Sequence, residues 1–158
     1  FYLNEILLRL CPLEESMPET FAQYHQTLLH LQQMSSHPQP ALFLRQILRQ
    51  FEFSLLEELG YPLDYNTDAA QNEIVIQQRY QFQLADGFIP VAHHSSASLG
   101  GAQILSMAQY EKGRDFNQEQ LQFLSKLFRQ MISALMGDRP LKSRQLWIQN
   151  TQSKSLSQ

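Results

Sequence analysis

Cys11 is the single cysteine of this chain, so neither an internal disulfide nor a cysteine-built zinc site can be assembled from it. That scarcity fits a reducing compartment. No apolar run approaches the length that crosses a bilayer, and no basic signal-peptide segment opens the chain, so no membrane role is expected. Six glycines and seven prolines in 158 residues are too few for a fibrous or low-complexity protein. Enzyme signatures are missing as well: there is no glycine-rich phosphate loop, no nucleophile elbow and no histidine pair at metal spacing on a helix. His93 and His94 are adjacent, and neighbours in a strand point to opposite faces, which keeps them from sharing a metal. Gly100-Gly101 reads as a helix start rather than a phosphate cradle. Cys11, at the end of an amphipathic helix, reads as a small buried apolar group rather than a nucleophile. The expectation is a protein that is not an enzyme and carries no cofactor or metal.

What is present is an ordinary globular composition, 43% apolar and 17% charged, at a length that makes one domain with a real core. The chain begins at Phe1 within helical spacing and without an initiator Met, and so reads as truncated at its start. No repeat is found at any fixed period. Charge is uneven. Residues 1–111 carry four basic side chains against twelve acidic ones, a net of −8, and residues 112–158 carry eight against three, a net of +5. A basic C-terminal third is either the footprint of an anionic partner or a solvated helix face with a basic tail.

Apolar spacing predicts a helix over Tyr2–Leu10, stopped by Pro12. A second runs from Pro18 to Met34 with a stripe of Phe21, Tyr24, Leu28 and Leu31. After the Pro38 and Pro40 loop, a third spans Ala41–Leu59 along Leu44, Ile47, Leu48, Phe51, Leu55 and Leu59, with Gly60 as its left-handed cap. The segment 61–72 reads as a loop, and Ile74-Val75-Ile76 as a short strand. Tyr80, Phe82 and Leu84 alternate with glutamines before Asp86-Gly87 and Phe88-Ile89-Pro90-Val91, the pattern of a hairpin. Helical spacing returns over Ala102–Tyr110 and strongly over Gln118–Met136, with Asn117 as N-cap and Gly137 as terminator. Pro140 opens a short final segment through Trp147, and 149–158 reads as a mobile tail. The fold class is thus mainly α, a helical bundle-like domain with a small β insertion. Its parts are helices over 1–60, a loop and β element over 61–99, helices over 100–148 and a tail.

Three stretches stand out: Tyr2-Leu3-Asn4-Glu5 leading into Ile6–Leu10, Leu48-Arg49-Gln50-Phe51-Glu52 with Leu55–Tyr61, and Pro140-Leu141-Lys142-Ser143-Arg144-Gln145-Leu146. In this order and at these separations they resemble the RecO family of bacterial recombination mediators, in its central helical and C-terminal parts. Arg79-Tyr80 followed by Asp86-Gly87-Phe88-Ile89 is similar to that family's small β element. Two departures stand beside the resemblance. These 158 residues are not expected to include the family's N-terminal OB-fold, and they lack the four cysteines that many members place after the Leu-Gly-Tyr helix end. The chain looks like a zinc-free member whose 61–72 loop is held by packing.

The resemblance implies a DNA repair and recombination protein of the bacterial cytoplasm, associated with the nucleoid. Such a protein binds single- and double-stranded DNA, anneals complementary strands, engages the acidic tail of single-strand DNA-binding protein, and joins RecR to load RecA. Arg45 and Arg49, four apart on one helix face beside Leu48, offer cations for a tail's carboxylates and an apolar slot for its ring. The alternative is that they pair with Glu52, Glu57 or Glu58. Lys126, Arg129, Arg139, Lys142 and Arg144 are the candidates for contact with the DNA backbone. The competing reading of Lys142 and Arg144 is an ion pair with Glu52 or Glu57, and that of the whole chain is a helical protein-interaction adaptor with no nucleic-acid role. Each phosphate contact steepens the salt dependence of single-strand binding by about 0.7 in log-log slope. Replacing Lys142 and Arg144 by Ala together is therefore expected to flatten that slope by roughly 1.4. A loss of thermal stability with an unchanged slope would instead identify a structural ion pair.

Overall fold

Two amphipathic helices of 19 residues dominate the chain, and the second of them lies at its centre. In the computed structural model, which describes residues 1–12, 14, 16–93, 95–111, 113–137, 141 and 143, the chain forms five α-helices and a three-stranded sheet that packs on two of them. The helices are α1 (Tyr2–Leu10), α2 (Pro18–Gln33), α3 (Pro40–Glu58), α4 (Gly101–Ala108) and α5 (Gln118–Met136). The strands are β1 (Arg79–Gln83), β2 (Gly87–Val91) and β3 (Leu99–Gly100). The fold is mainly α with a small β insertion. Helix α5 packs against α1, α3, α4 and β1, and Leu121, Phe123, Leu124, Leu127, Phe128, Met131 and Ile132 all lie in the core. Its start is fixed by Asn117, whose side chain accepts the Gln120 amide at 2.8 Å while the Gln120 side chain accepts the Asn117 amide at 2.9 Å. The turn before α5 is tied to α3 by Gln46, whose buried amide donates to Phe116 O at 2.6 Å and accepts from Phe116 N at 3.0 Å.

Helix α2 presents a different face from the one its large apolar residues predict. Phe21 is 58% exposed and Leu28 37% exposed, whereas Thr20 and Thr27 are fully buried, beside half-buried Tyr24 and Leu31. Glu58 at the end of α3 sets this rotation. Its carboxylate accepts the Glu19 amide at 3.2 Å and the Thr20 amide at 2.6 Å, which satisfies free donors at the positive end of α2. Small threonines on the inner face then let α2 lie close against α3.

The hairpin has the expected inward pattern. Phe82 pairs with Phe88 and Tyr80 with Pro90, Tyr80 and Phe82 point into the core, and Gln81 and Gln83 face water. β3 lies on the other side of β1, with Tyr80 opposite Leu99. The strand expected at Ile74-Val75-Ile76 is not formed. Val75 and Ile76 are exposed, and their carbonyls accept Gln78 N at 3.0 Å and Ala102 N at 3.2 Å, so this segment receives the start of α4 instead of joining a ladder. Gly101 makes that contact possible, because a Cβ there would sit 1.9 Å from Val75 O. The 61–74 loop is packed through Tyr65, whose ring lies against Phe88 and Phe123, but it is closed chiefly by two aspartates. Asp64 accepts Asn66 N at 2.8 Å and the Thr67 hydroxyl at 2.5 Å, and Asp68 accepts Ala70 N and Asn72 N, each at 2.9 Å. The Thr67 hydroxyl, aided by the Asn66 amide, holds the Asp64 carboxyl below its usual range. The expected tail, 149–158, lies outside the described residues.

Replacing Gly101 by Ala is expected to cost about 1–3 kcal/mol, because the new methyl meets backbone that cannot yield as a side chain would. Urea unfolding checks it: a variant as stable as the parent would show that α4 does not need this approach.

Candidate partner-binding and nucleic-acid interface

The cationic face of α3 is built around a buried acid. Arg45 is exposed, Leu48 is half-buried against the core, and Arg49 is half-buried with its Nη2 donating to Glu52 Oε1 at 2.9 Å. Glu52 is only 1% exposed. The Tyr2 hydroxyl of α1 donates to the same Oε1, while Oε2 has no described partner. Burial pushes the Glu52 carboxyl above its usual value, against the opposing pull of Arg49, the Tyr2 hydroxyl and Arg129. Burial and then the Glu52 charge raise the Tyr2 hydroxyl. Pairing of Arg49 with Glu52, one of the two readings of these arginines, is thus present in the chain alone. Arg45, a turn earlier, has no described partner.

The basic residues of α5 divide between two surroundings. Arg129 is exposed, and its charge reaches Glu52 and Tyr2, which places it on the α1 and α3 side. Lys126, three residues earlier, turns to the β insertion, where its Nζ donates to Ser98 O at 2.7 Å. Partial burial and then the charge of Arg79 lower the Lys126 pKa. The structure therefore brings Arg129 into the field of the Arg49 and Glu52 cluster and sets Lys126 apart from it. Arg139, Lys142 and Arg144 lie outside the described residues. Leu141 packs on the core, and Ser143 N donates to Glu5 Oε2 of α1 at 2.8 Å.

A groove of roughly 250 Å³ opens between residues 60–71 and the hairpin turn at 84–87, floored by Phe82, Phe88 and Met131. Asp64 and Asp68 on its rim are committed to their own loop, and no group of three metal-ligating side chains occurs among the described residues. No described helix is long and apolar enough to cross a membrane.

Residues 1–145 match the family described as "Recombination protein O C terminal". The chain belongs to the RecO family. It is 36% identical over 152 residues to "DNA repair protein RecO" of Pseudomonas aeruginosa (strain LESB58), covering 96% of this chain and 61% of that protein. The same-named protein of Pseudoalteromonas translucida (strain TAC 125) is 33% identical over 148 residues, covering 93% and 59%. That of Tolumonas auensis (strain DSM 9187 / NBRC 110442 / TA 4) is 36% identical over 149 residues, covering 92% and 58%. The chain thus spans about three fifths of the length of these RecO relatives.

Helix spacing puts Arg45, Leu48 and Arg49 on one face and leaves open whether Glu52 is their partner. Tyr2 as the second donor to that acid and Arg79 beside Lys126 follow from no local spacing and emerge only in the fold.

A buried acid of raised pKa makes folding take up a proton between the unfolded value, near 4.5, and the higher folded one. Glu52 therefore weakens the fold progressively as pH rises through that window. Glu52→Gln is expected to be at least as stable as the parent at pH 7, with its advantage shrinking as pH falls toward 4.5. Parallel thermal unfolding of the two proteins across that range checks it, and a gap that does not change with pH would refute it.

Proposed function

We propose that this chain is the C-terminal body of a DNA repair and recombination mediator. In this reading it is not an enzyme. It binds DNA, takes the acidic C-terminal tail of single-strand DNA-binding protein, and joins RecR in promoting strand annealing and RecA loading. Family membership supports the repair role, and the relatives carry that description in their names.

The observation that carries the tail-binding part is the α3 face: exposed Arg45, half-buried Leu48 and Arg49 lie within one turn of each other. Arg49 is held in place by Glu52, itself fixed by the Tyr2 hydroxyl, so its guanidinium is oriented before a ligand arrives. A peptide carboxylate can add to donors that Glu52 leaves unused, since guanidinium carries five and Arg49 is bonded through Nη2. Leu48 supplies the apolar neighbour for the ring of the tail. Lys126 and Arg129, with Arg139, Lys142 and Arg144, are assigned to the DNA backbone on the strength of charge and position. A helical adaptor without nucleic-acid binding would show no salt-dependent affinity for single-stranded DNA, which separates that reading from this one.

Arg49→Ala alone would leave Glu52 buried without its cation, at a cost of about 3–5 kcal/mol, so the clean comparison is made in the Glu52→Gln background. There, adding Arg49→Ala is expected to remove a charge-assisted bond of about 1.5–3 kcal/mol and weaken an acidic tail peptide roughly tenfold or more. Titration calorimetry reads it. Equal peptide affinity with and without Arg49, and with Arg45→Ala, would place the tail elsewhere.

A further inference from the structure

Ser98, fully buried at the foot of β3, gathers two cations on one residue. Arg79 of β1 donates from Nη2 to Ser98 O at 2.7 Å, and from Nε and Nη2 to Ser98 Oγ at 3.1 and 2.9 Å. Lys126 of α5 donates to the same carbonyl at 2.7 Å. Each cationic nitrogen is therefore within twice that distance of the other. Neither side chain has a carboxylate partner among the described residues. The surrounding elements offer none: β1, β3, α4 and residues 92–98 contain no acid, and the acid of α5, Glu119, lies two turns before Lys126.

Holding the segment in place does not require this charge. One turn further along α5, the neutral amide of Gln130 bonds Ala97 O at 2.9 Å and secures the same loop. Two like charges brought together and partly removed from water repel each other, and the fall in the Lys126 pKa records that repulsion alongside its burial. An anion would relieve it. The ammonium has further N–H donors beyond the one used on Ser98, and Nη1 of Arg79 carries no described hydrogen bond. Both side chains remain partly open to solvent.

We infer that Arg79 and Lys126, braced on Ser98, form a binding site for one backbone phosphate of DNA, so that the β insertion and α5 grip the strand together. This rests on the DNA-binding reading above and adds to it a residue, Arg79, and a fixed geometry. Ser98 presets the distance between the two donors, and a phosphate can bridge it through two of its oxygens.

The test uses the full chain and a labelled oligothymidylate, with affinity measured against salt concentration. Lys126→Gln keeps an N–H for the Ser98 carbonyl and removes only the charge; it is expected to flatten the log-log slope by about 0.7 while leaving the thermal midpoint in place. Lys126→Arg should retain the parental slope. Arg79→Lys keeps the charge and loses the fork, and should weaken binding with little change of slope. If the parent binds and Lys126→Gln keeps its full slope, the pair is a structural clasp and the inference is overturned while the wider DNA reading stands. A parent with no salt-dependent binding would overturn both.

Discussion

A carboxylate taken out of water must be answered by donors from whatever surrounds it, and Glu52 imposes that demand on three helices. It sits on α3, receives Tyr2 from α1 and Arg49 from its own helix, and lies in the field of Arg129 from α5. Leaving this buried carboxylate without its cation costs about 3–5 kcal/mol, a large share of a domain's net stability of about 5–15 kcal/mol. The relative placement of α1, α3 and α5 is therefore not free to drift, even though apolar packing supplies most of the driving force. The same demand fixes Arg49. A guanidinium free in solvent would sample many rotamers, whereas this one is directed along the α3 surface, so a recognition surface emerges as a by-product of satisfying a core residue.

The polar ties elsewhere join elements distant in sequence. Gln46 binds both backbone groups of Phe116, Glu58 closes the start of α2, and Ser98 collects donors from a strand and a helix. Each sits where two elements meet and where the backbone has groups that its own secondary structure cannot satisfy. Apolar contacts tolerate sliding. These hydrogen bonds do not, and they convert a general preference for burial into one arrangement of helices around α5.

That division explains what could be read from the sequence. Helix α5 and its Asn117 cap, the left-handed Gly60 after α3 and the Phe82–Phe88 hairpin follow from local spacing and turn chemistry, and the structure has them where the pattern puts them. The inner face of α2 did not, because Phe21 and Leu28 outweigh Thr20 and Thr27 on any hydropathy count, and only Glu58, far along the chain, decides the rotation. β3 has two residues, too few for a pattern, and Ile74–Ile76 has the right residue types with its carbonyls engaged elsewhere. On the candidate site, Arg45, Leu48 and Arg49 were visible as a helix face. The burial of Glu52 was not, since an acid in a charged helix reads as solvated until Tyr2 is folded over it, and Arg79 meets Lys126 only through the fold.

The 61–74 loop closes on itself. Asp64 and Asp68 turn back to amides within a few residues, and Ile74 N returns to Asn66 O at 2.8 Å, so residues 64–74 are held largely by bonds among themselves. The loop is tied to the rest of the fold by Tyr65, whose ring lies against Phe88 and Phe123, and by Ala69 N, which donates to Phe88 O at 2.8 Å. Selection acting on this stretch therefore has to keep Tyr65 and the buried Ile74 and Asp68, while its exposed positions are free to change over a scaffold that stays the same.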